Sequence, residues 1–449
     1  MPNEREPPIP ISMTMKSNLN DLPIEVIDMI CESLSPLYLK QFRLTNRKYA
    51  QLTTRHLFRK LYITFCTDSY NNVIRISKDE KLRTFVHEII WDLREIQGSL
   101  TNEFEFMLHF GLALYPLDHV QCRTFKDVHA QLYAAQSALK AQLSKDMDSH
   151  VKRLREALQR FTIEKCSTIQ SEWDMATIPL SLRLKSGMLY KYGTWALPFY
   201  LLSKRAPSQY AVGGWPIKVA LQCLMPCKEL SILAYSGNCN AINMLLARGS
   251  HLRSSLPHVQ RLDITLFSPH PPPYNWHDRG EPRMDMKAWD LNRYCTKLES
   301  LNLRFKDCSE SGSPFGGKAT GFGIRITMVP INREAYFPNL RVLTVQGFGV
   351  SVPDFTVFLR RHSSTLRTVS VKKTLFMLGY VGEILDAMRE TQMQIESGCF
   401  DDVMDNSWLH VTFSSSVTFG SRLTVREDQL INYVVGNGPN PCPIPPPRP

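Results

Sequence analysis

The sequence predicts an α/β protein in which parallel strands, each preceded by a helix, stack one after another behind a small N-terminal block of three helices. Two observations carry the prediction. Beyond Met188 an apolar spacing, h-x-x-h-x-h, recurs at Leu230, Leu233, Tyr235; Val259, Leu262, Ile264; Leu298, Leu301, Leu303; Leu340, Leu343, Val345; and Leu366, Val369, Val371, with Val86, Ile89, Trp91 as an isolated earlier copy. The last two positions of each copy have the period of two that a strand requires. Helical stretches precede most copies, at Pro216–Leu224, Ala241–Arg248, Met286–Tyr294 and Asp354–Arg361. Parallel strands need a crossover, and helix-then-strand repeated along a chain supplies one each time, which makes a solenoid. A compact α/β domain is the structural alternative.

The three-helix block lies between Asn20 and Phe65. Leu22-Pro23 opens a helix, because the first turn tolerates a residue without an N–H. Leu22, Val26, Ile30 and Leu34 recur every four residues with Ile27 beside them, and Glu25, Asp28 and Glu32 occupy the other side. Ser35-Pro36 breaks this helix, Leu37 to Thr45 supplies a second and Arg47 to Phe58 a third. Leu61 to Phe65 is rich in strand formers. A unit of this size cannot bury a self-sufficient core, so it is expected to lean on the rest of the chain or on a partner.

Those residues resemble a known family. The pattern LPxEVIxxIxxxL, followed by a Leu-containing turn, RLxxR and a closing LFRxL, is similar to the F-box. Leu22, Pro23, Glu25, Val26, Ile30, Leu34, Leu39, Arg43, Leu44 and Arg47 match position by position. Many members carry a large aromatic after the basic residue of the third helix; here Lys48 follows Arg47, and Tyr49 comes one place later. The resemblance implies that these ten residues bind a Skp-family adaptor and, through it, a cullin–RING ubiquitin ligase. The strand array is similar, more weakly, to leucine-rich repeats: its intervals run from about 26 to about 42 residues and it has no consensus Asn. Together the two resemble the irregular strand-repeat F-box proteins of filamentous fungi. Expected domains are a leader at 1–17, the F-box at 18–64, a target-recognition domain at 65–430 with a helical insertion at about 124–165, and a proline-rich tail at 431–449.

The insertion rests on Lys126 to Ile163, which contains neither Gly nor Pro and reads as one long helix or a helical pair. Its stripe of Leu132, Leu139, Leu143, Val151, Leu154 and Leu158 is expected to be a packing face. Near the end, LHVTF and RLTV are expected to cap the array.

Composition narrows the function classes. The chain has 449 residues, 43% hydrophobic and 21% charged, so it is globular and large enough for more than one domain. Its net charge of +11 is partly local: Lys40, Arg43, Arg47, Lys48, Arg55, Arg59 and Lys60 fall in one stretch without an acid among them. No aromatic-plus-basic signature of a nucleic-acid module accompanies them, so neither DNA nor RNA is an expected partner. Eleven scattered cysteines form no disulfide framework, and no apolar window is long enough to span a bilayer; cytosol or nucleus is the expected location, without a membrane partner.

Several near-motifs fall short of chemistry. Gly312 to Lys318 approaches a phosphate-binding loop, but Ala319 stands where a magnesium-binding hydroxyl is needed and Gly321 and Gly323 oppose a helix. Cys223, Cys227, Cys239 and His251 are spaced loosely for zinc, and buried thiols explain the pair better. His87 near Glu88 and His109 near Glu105 are lone polar pairs. No enzyme activity, cofactor or metal is expected. Pro271, Pro272 and Tyr274 form a PPxY-like candidate ligand for WW domains, and Pro443 to Arg448 resembles a PxxPxR ligand for SH3 domains. The expected function is therefore substrate recognition for an SCF-type (Skp–cullin–F-box) ligase; the alternative is an F-box scaffold that binds the adaptor without directing ubiquitination.

Overall fold

An h-x-x-h-x-h segment buries its first apolar residue just before a strand and the other two from alternate strand positions, so successive segments in register build three continuous apolar rows. The computed structural model contains these rows. It describes residues 19–34, 36–64, 67–92, 130, 133–134, 137–169, 215–235, 252–268, 291–307, 335–404, 423–436 and 438–442. Contacts divide the chain into two units, Met1–Arg59 and Lys60–Pro449.

The first unit holds α1 (Ile24–Ser33), α2 (Pro36–Thr45) and α3 (Arg47–Phe58). Pro23 stands at the N-cap of α1, and the Asn46 side chain caps α3 by accepting from the Lys48 N–H at 2.9 Å. Ile27, Cys31, Leu39 and Tyr49 form its core, with Leu22, Leu34, Phe42, Leu52 and Leu57 packed against them. Phe42 and Tyr49 stack at 4.6 Å. The buried side of α1 therefore runs through Ile27 and Cys31, not through the Val26–Ile30 line that the four-residue recurrence favoured. Asp28 and Glu32 face α3: Asp28 accepts from Arg55 and, at 2.7 Å, meets His56, while Arg59 reaches Glu32 at 3.1 Å. His56 and Arg55 hold the Asp28 carboxyl below its ordinary range, against a partly opposing effect of burial.

The second unit is built on a ten-stranded sheet. Its strands are β1 (Lys60–Thr64), β2 (Glu88–Asp92), β3 (Lys165–Ile169), β4 (Glu229–Tyr235), β5 (Arg261–Ser268), β6 (Ser300–Asp307), β7 (Val342–Gln346), β9 (Thr368–Lys372), β11 (Ser397–Val403) and β12 (Leu423–Val425), in that spatial order. All neighbours pair in parallel except β11 with β12. A second, two-stranded sheet pairs β8 (Gly349–Ser351) with β10 (Leu375–Met377). The architecture is α/β and solenoid-like, with spatial order following sequence order. Because Lys60–Thr64 pairs with β2, these residues belong to the sheet and not to the three-helix unit, which ends before them.

The register corrects three readings of the pattern. Leu230 pairs with Leu262 and Ile232 with Ile264, so the β4 triplet is Cys227, Leu230, Ile232, displaced by three residues toward the N-terminus from the Leu230, Leu233, Tyr235 assignment. Val86, Ile89 and Trp91 are not isolated: Leu61 and Ile63 flank them on one side, Cys166 and Thr168 on the other. Beyond Val369 and Val371 the rows continue through Gly398 and Phe400. All the first-row residues, Val86, Ile163, Cys227, Val259, Leu298, Leu340, Leu366 and Ile395, are buried. Burying each large aliphatic side chain contributes about 1.5–3 kcal/mol, so the rows dominate the unit's stability.

Each turn into a strand is tied to the one before it by a backbone relay. The carbonyl of Gln260 accepts from both Glu299 N and Ser300 N, Glu299 from Arg341 N and Val342 N, and Arg341 from Arg367 N and Thr368 N, at 2.8–3.0 Å. Main chain thereby satisfies the turn, so the repeat closes without a consensus Asn. The opposite strand ends also repeat. Gly347, Lys373 and Asp402 directly follow the register-matched Gln346, Lys372 and Asp401, and all have positive φ, turning the chain toward β8, β10 and Met404.

Helices close the inward rows. They are α4 (Thr67–Lys78), α5 (Glu80–Arg83), α6 (Met147–Leu158), α7 (Trp215–Gln222), α8 (Leu252–Ser255), α9 (Leu291–Tyr294), α10 (Val352–Arg361), α11 (Val381–Glu390) and α12 (Glu427–Val434). Phe355 on α10, Phe376 on β10 and Phe400 on β11 form an aromatic chain with centroids 5.9 and 6.1 Å apart. The predicted long helix is a pair: residues 137–145 are helical, Asp146 caps α6 by accepting from Ser149 N, and Leu139, Leu143, Val151, Leu154 and Leu158 are buried as a packing face. Leu132 and the stretch Ala241–Arg248 lie outside the described residues, as do residues 1–17. The tail boundary also moves. Residues 431–434 complete α12, and Asn440 donates to Asp386 of α11 at 2.9 Å, beside a hydrogen bond from the Tyr433 hydroxyl to the same oxygen.

Candidate functional site

Two surfaces combine exposure with organised chemistry, one in each unit. On the three-helix unit, Pro23, Glu25, Val26, Arg43, Leu44 and Arg47 are exposed, and Leu22, Ile30 and Leu34 are half-buried. Leu39 is a correction: at 3% exposure it belongs to the unit's own core and presents nothing to a partner. The pattern missed other residues. Ile24, Met29 at 70% and Tyr38 are exposed apolar side chains, beside Leu44 at 87%. Val26, Met29 and Ile30 share one helix face by their three- and four-residue spacing, a signal readable once Ile27 and Cys31 are known to define the core.

Charge on this unit separates into two sets. Arg55 and Arg59 are engaged by Asp28 and Glu32. Arg43, Arg47 and Lys48 are exposed and make no ion pair among the described residues. Exposed aliphatic side chains and exposed cations on one small unit suit a partner that is both apolar and acidic.

On the second unit, residues alternating with the inward rows form the other sheet face. Over β1 to β5 its lowest row is an alternating ladder: Glu88 lies 3.2 Å from Lys60 and 3.9 Å from Lys165, and Arg261 reaches Glu229 at 3.0 Å. Beyond β5 the face carries hydroxyls and amides together with the charged Arg304, Lys372 and Asp401, and Thr368 and Ser397 are hydrogen-bonded at 3.0 Å. One network crosses it. Asp263 accepts from Thr265 at 3.4 Å and from the Asn302 Nδ2 at 3.2 Å, and the Asn302 Oδ1 accepts from the Arg304 Nε at 3.1 Å. A shallow groove of about 450 Å³ opens at the rim, lined by Asn339, Arg341, Ser364, Thr365, Arg367 and Glu396 among others. Arg367 there is already engaged by the Leu366 and Ser364 carbonyls and lies 3.9 Å from Glu396.

The remaining near-motifs resolve as packing or fall outside the description. Cys223 and Cys227 are buried, and burial pushes both thiols up to about 12, so they stay protonated and inert as nucleophiles. Cys239, His251, the Gly312–Gly323 segment, His109, Pro271, Pro272, Tyr274 and Pro443 to Arg448 lie outside the described residues. Among the described residues, no group of three His, Cys, Asp or Glu is placed to hold a metal, and no helix is long and apolar enough to cross a membrane. His362 is buried between Phe358 and Phe337: its Nδ1 lies 2.7 Å from the Phe358 carbonyl and its Nε2 accepts from Phe337 N at 2.9 Å. Both bonds are structural, and burial lowers the ring's pKa. No family model and no curated protein matches the chain.

Proposed function

We propose that this chain is a substrate-recognition subunit of an SCF-type ubiquitin ligase. The three-helix unit acts as an F-box that docks a Skp-family adaptor, and the leucine-rich-repeat-like sheet unit presents its open face to a target protein. Catalysis belongs to the ligase partners; this chain contributes proximity by holding the target near them. The observation that carries the reading is that a unit with its own small core exposes Val26 and Met29 on α1 and Leu44 on α2, together with the cations Arg43, Arg47 and Lys48. Leaving such side chains in water forgoes roughly 1.5–3 kcal/mol each, which a partner recovers.

Co-purification with a Skp-family adaptor tests it. Met29→Glu with Leu44→Asp, both on exposed positions, is expected to abolish capture while leaving the helical content of the unit intact. Leu39→Ala is expected to weaken capture by a different route, loosening the core by about 2–5 kcal/mol, as its helical signal would report. Undiminished capture by the Met29/Leu44 double variant would sink the proposal.

A further inference from the structure

The outward face of the second unit is not uniform, and its organised part carries a preference of its own. Arg304 is half-buried on β6 and is steered by a fixed chain of acceptors: Asp263 orients the Asn302 amide, whose oxygen then holds the Arg304 Nε. No described residue accepts from the two terminal nitrogens of Arg304, so its outer fork is presented ready for a planar anion. In register beside Arg304 come Gln346 and then Lys372, which is exposed. Thr344 and Ser370, also neighbours in register, supply hydroxyls one step along the same face. Asp401 borders Lys372 on the far side and ends the basic row, as Thr265 ends it beside Arg304.

We propose that this patch over β6, β7 and β9 takes an extended acidic segment of the target protein, with Arg304 as its anchoring residue. The inference rests on the target-receptor reading above and names the chemistry of the target. Charge complementarity selects the occupant. On the β1 to β5 ladder every cation lies against an acid, whereas Arg304 and Lys372 face outward without an ion pair among the described residues. Two strand spacings separate them by about 10 Å, the distance that about three residues of extended chain cover. A segment crossing the strands in the polyproline II conformation, which has three residues per turn and rises about 3.1 Å per residue, would set two acids, three positions apart, on the two cations, with its polar backbone over Thr344, Gln346 and Ser370. A carboxylate and a phosphate share this chemistry.

The test uses the full chain and three fluorescein-labelled nine-residue peptides in a Gly/Ser/Thr background. One carries two Glu three positions apart, one carries Gln at both places, and one carries phosphoserine. Fluorescence anisotropy is expected to show the Glu peptide binding at least about tenfold tighter than the Gln peptide, with the gap shrinking at high salt. If phosphoserine binds tighter still, the natural anion is a phosphate; if not, a carboxylate, and either result upholds the site. Arg304→Gln should erase the preference and Lys372→Gln, at an exposed position, should reduce it. Equal binding of Glu and Gln peptides, no binding of any, or an unchanged preference in both variants would overturn the inference. Adaptor capture measured on the same preparation separates the failures: capture without peptide preference rejects this inference alone, and preference without capture rejects only the adaptor reading.

Discussion

Gly398 stands where the repeat calls for an apolar residue. In register it occupies the row of Leu262, Leu301, Leu343 and Val369, so restoring the pattern with Gly398→Val looks stabilising from sequence. Its environment dictates the reverse. Gly398 has φ +154, and a Cβ built there would lie 2.1 Å from the carbonyl oxygen of Val369. No rotamer relieves that contact, because backbone alone fixes a Cβ, so β11 would have to retreat from β9 by about 1 Å to restore a tolerable separation. Losing two or three ladder hydrogen bonds at about 1 kcal/mol each, plus about 1–2 kcal/mol for the backbone conformation, gives about 3–5 kcal/mol. Such a loss is a large part of the roughly 5–15 kcal/mol that holds a domain folded. Equilibrium urea unfolding followed by circular dichroism should show the midpoint fall by about 1–2 M. Gly436→Ala is the control: φ is +95, but nothing lies within 4 Å of the added carbon, so only about 1 kcal/mol of backbone cost is expected. A Gly398→Val protein as stable as the parent would refute the close-approach argument and with it the β9–β11 register.

Leu301→Asp is expected to unfold the second unit outright rather than weaken a surface, because Leu301 is 2% exposed between Leu262 and Leu343 and an unpaired carboxylate would enter the rows; an unchanged melting transition would show its burial to be misassigned. The second unit should also lose stability in mild acid through His362. Its Nε2 accepts a backbone N–H, which requires the neutral ring, and burial lowers its pKa below the ordinary 6.5. Stability is thus full above about 6.5 and falls as pH drops from there toward the folded value, by at most about 1.4 kcal/mol per pH unit. Denaturant titrations between pH 7.5 and 5 should show that slope, and His362→Asn should flatten its contribution; an identical profile in the variant would exclude His362 as its source.

What the sequence revealed of this fold depended on which residue types fill the rows. From Val259 to Val371 the inward positions are Leu, Ile and Val, and the five segments stand in the sheet as neighbours in parallel, though Leu230's copy needed a shift. The shift arose because Cys227 takes the first position, and a thiol is not counted with aliphatic residues although it buries as completely. β3 escaped notice for the same reason, since Cys166 and Thr168 carry its inward rows, and β11 escaped because Gly398 empties one of them. Helices α4, α11 and α12 were also missed. In α11 the signal was present: Val381, Ile384, Leu385 and Met388 have helical spacing and all are buried. On the three-helix unit the helices were placed nearly to the residue, but a four-residue recurrence drifts around a helix of 3.6 residues per turn, and the face it marked was not the buried one.

The outward face was illegible for a different reason, one that applies to any stacked array. Inward residues are constrained by a rule that acts within each segment, since water exclusion selects apolar side chains at fixed local positions. Outward residues are constrained by neighbours across the sheet, and those neighbours are remote in sequence: Asp263 and Asn302 meet across 39 positions, and Glu229 and Arg261 across 32. The intervals vary from repeat to repeat, so no period reveals these pairs before the register is known. Once it is known, the face sorts itself into cations that a neighbouring acid holds, such as Arg261, and cations that a neighbour merely aims, such as Arg304. Engagement and aim follow from one comparison of adjacent strands. Among the described residues only the aimed set keeps its charge unpaired, so the availability of charge on this face follows register rather than composition.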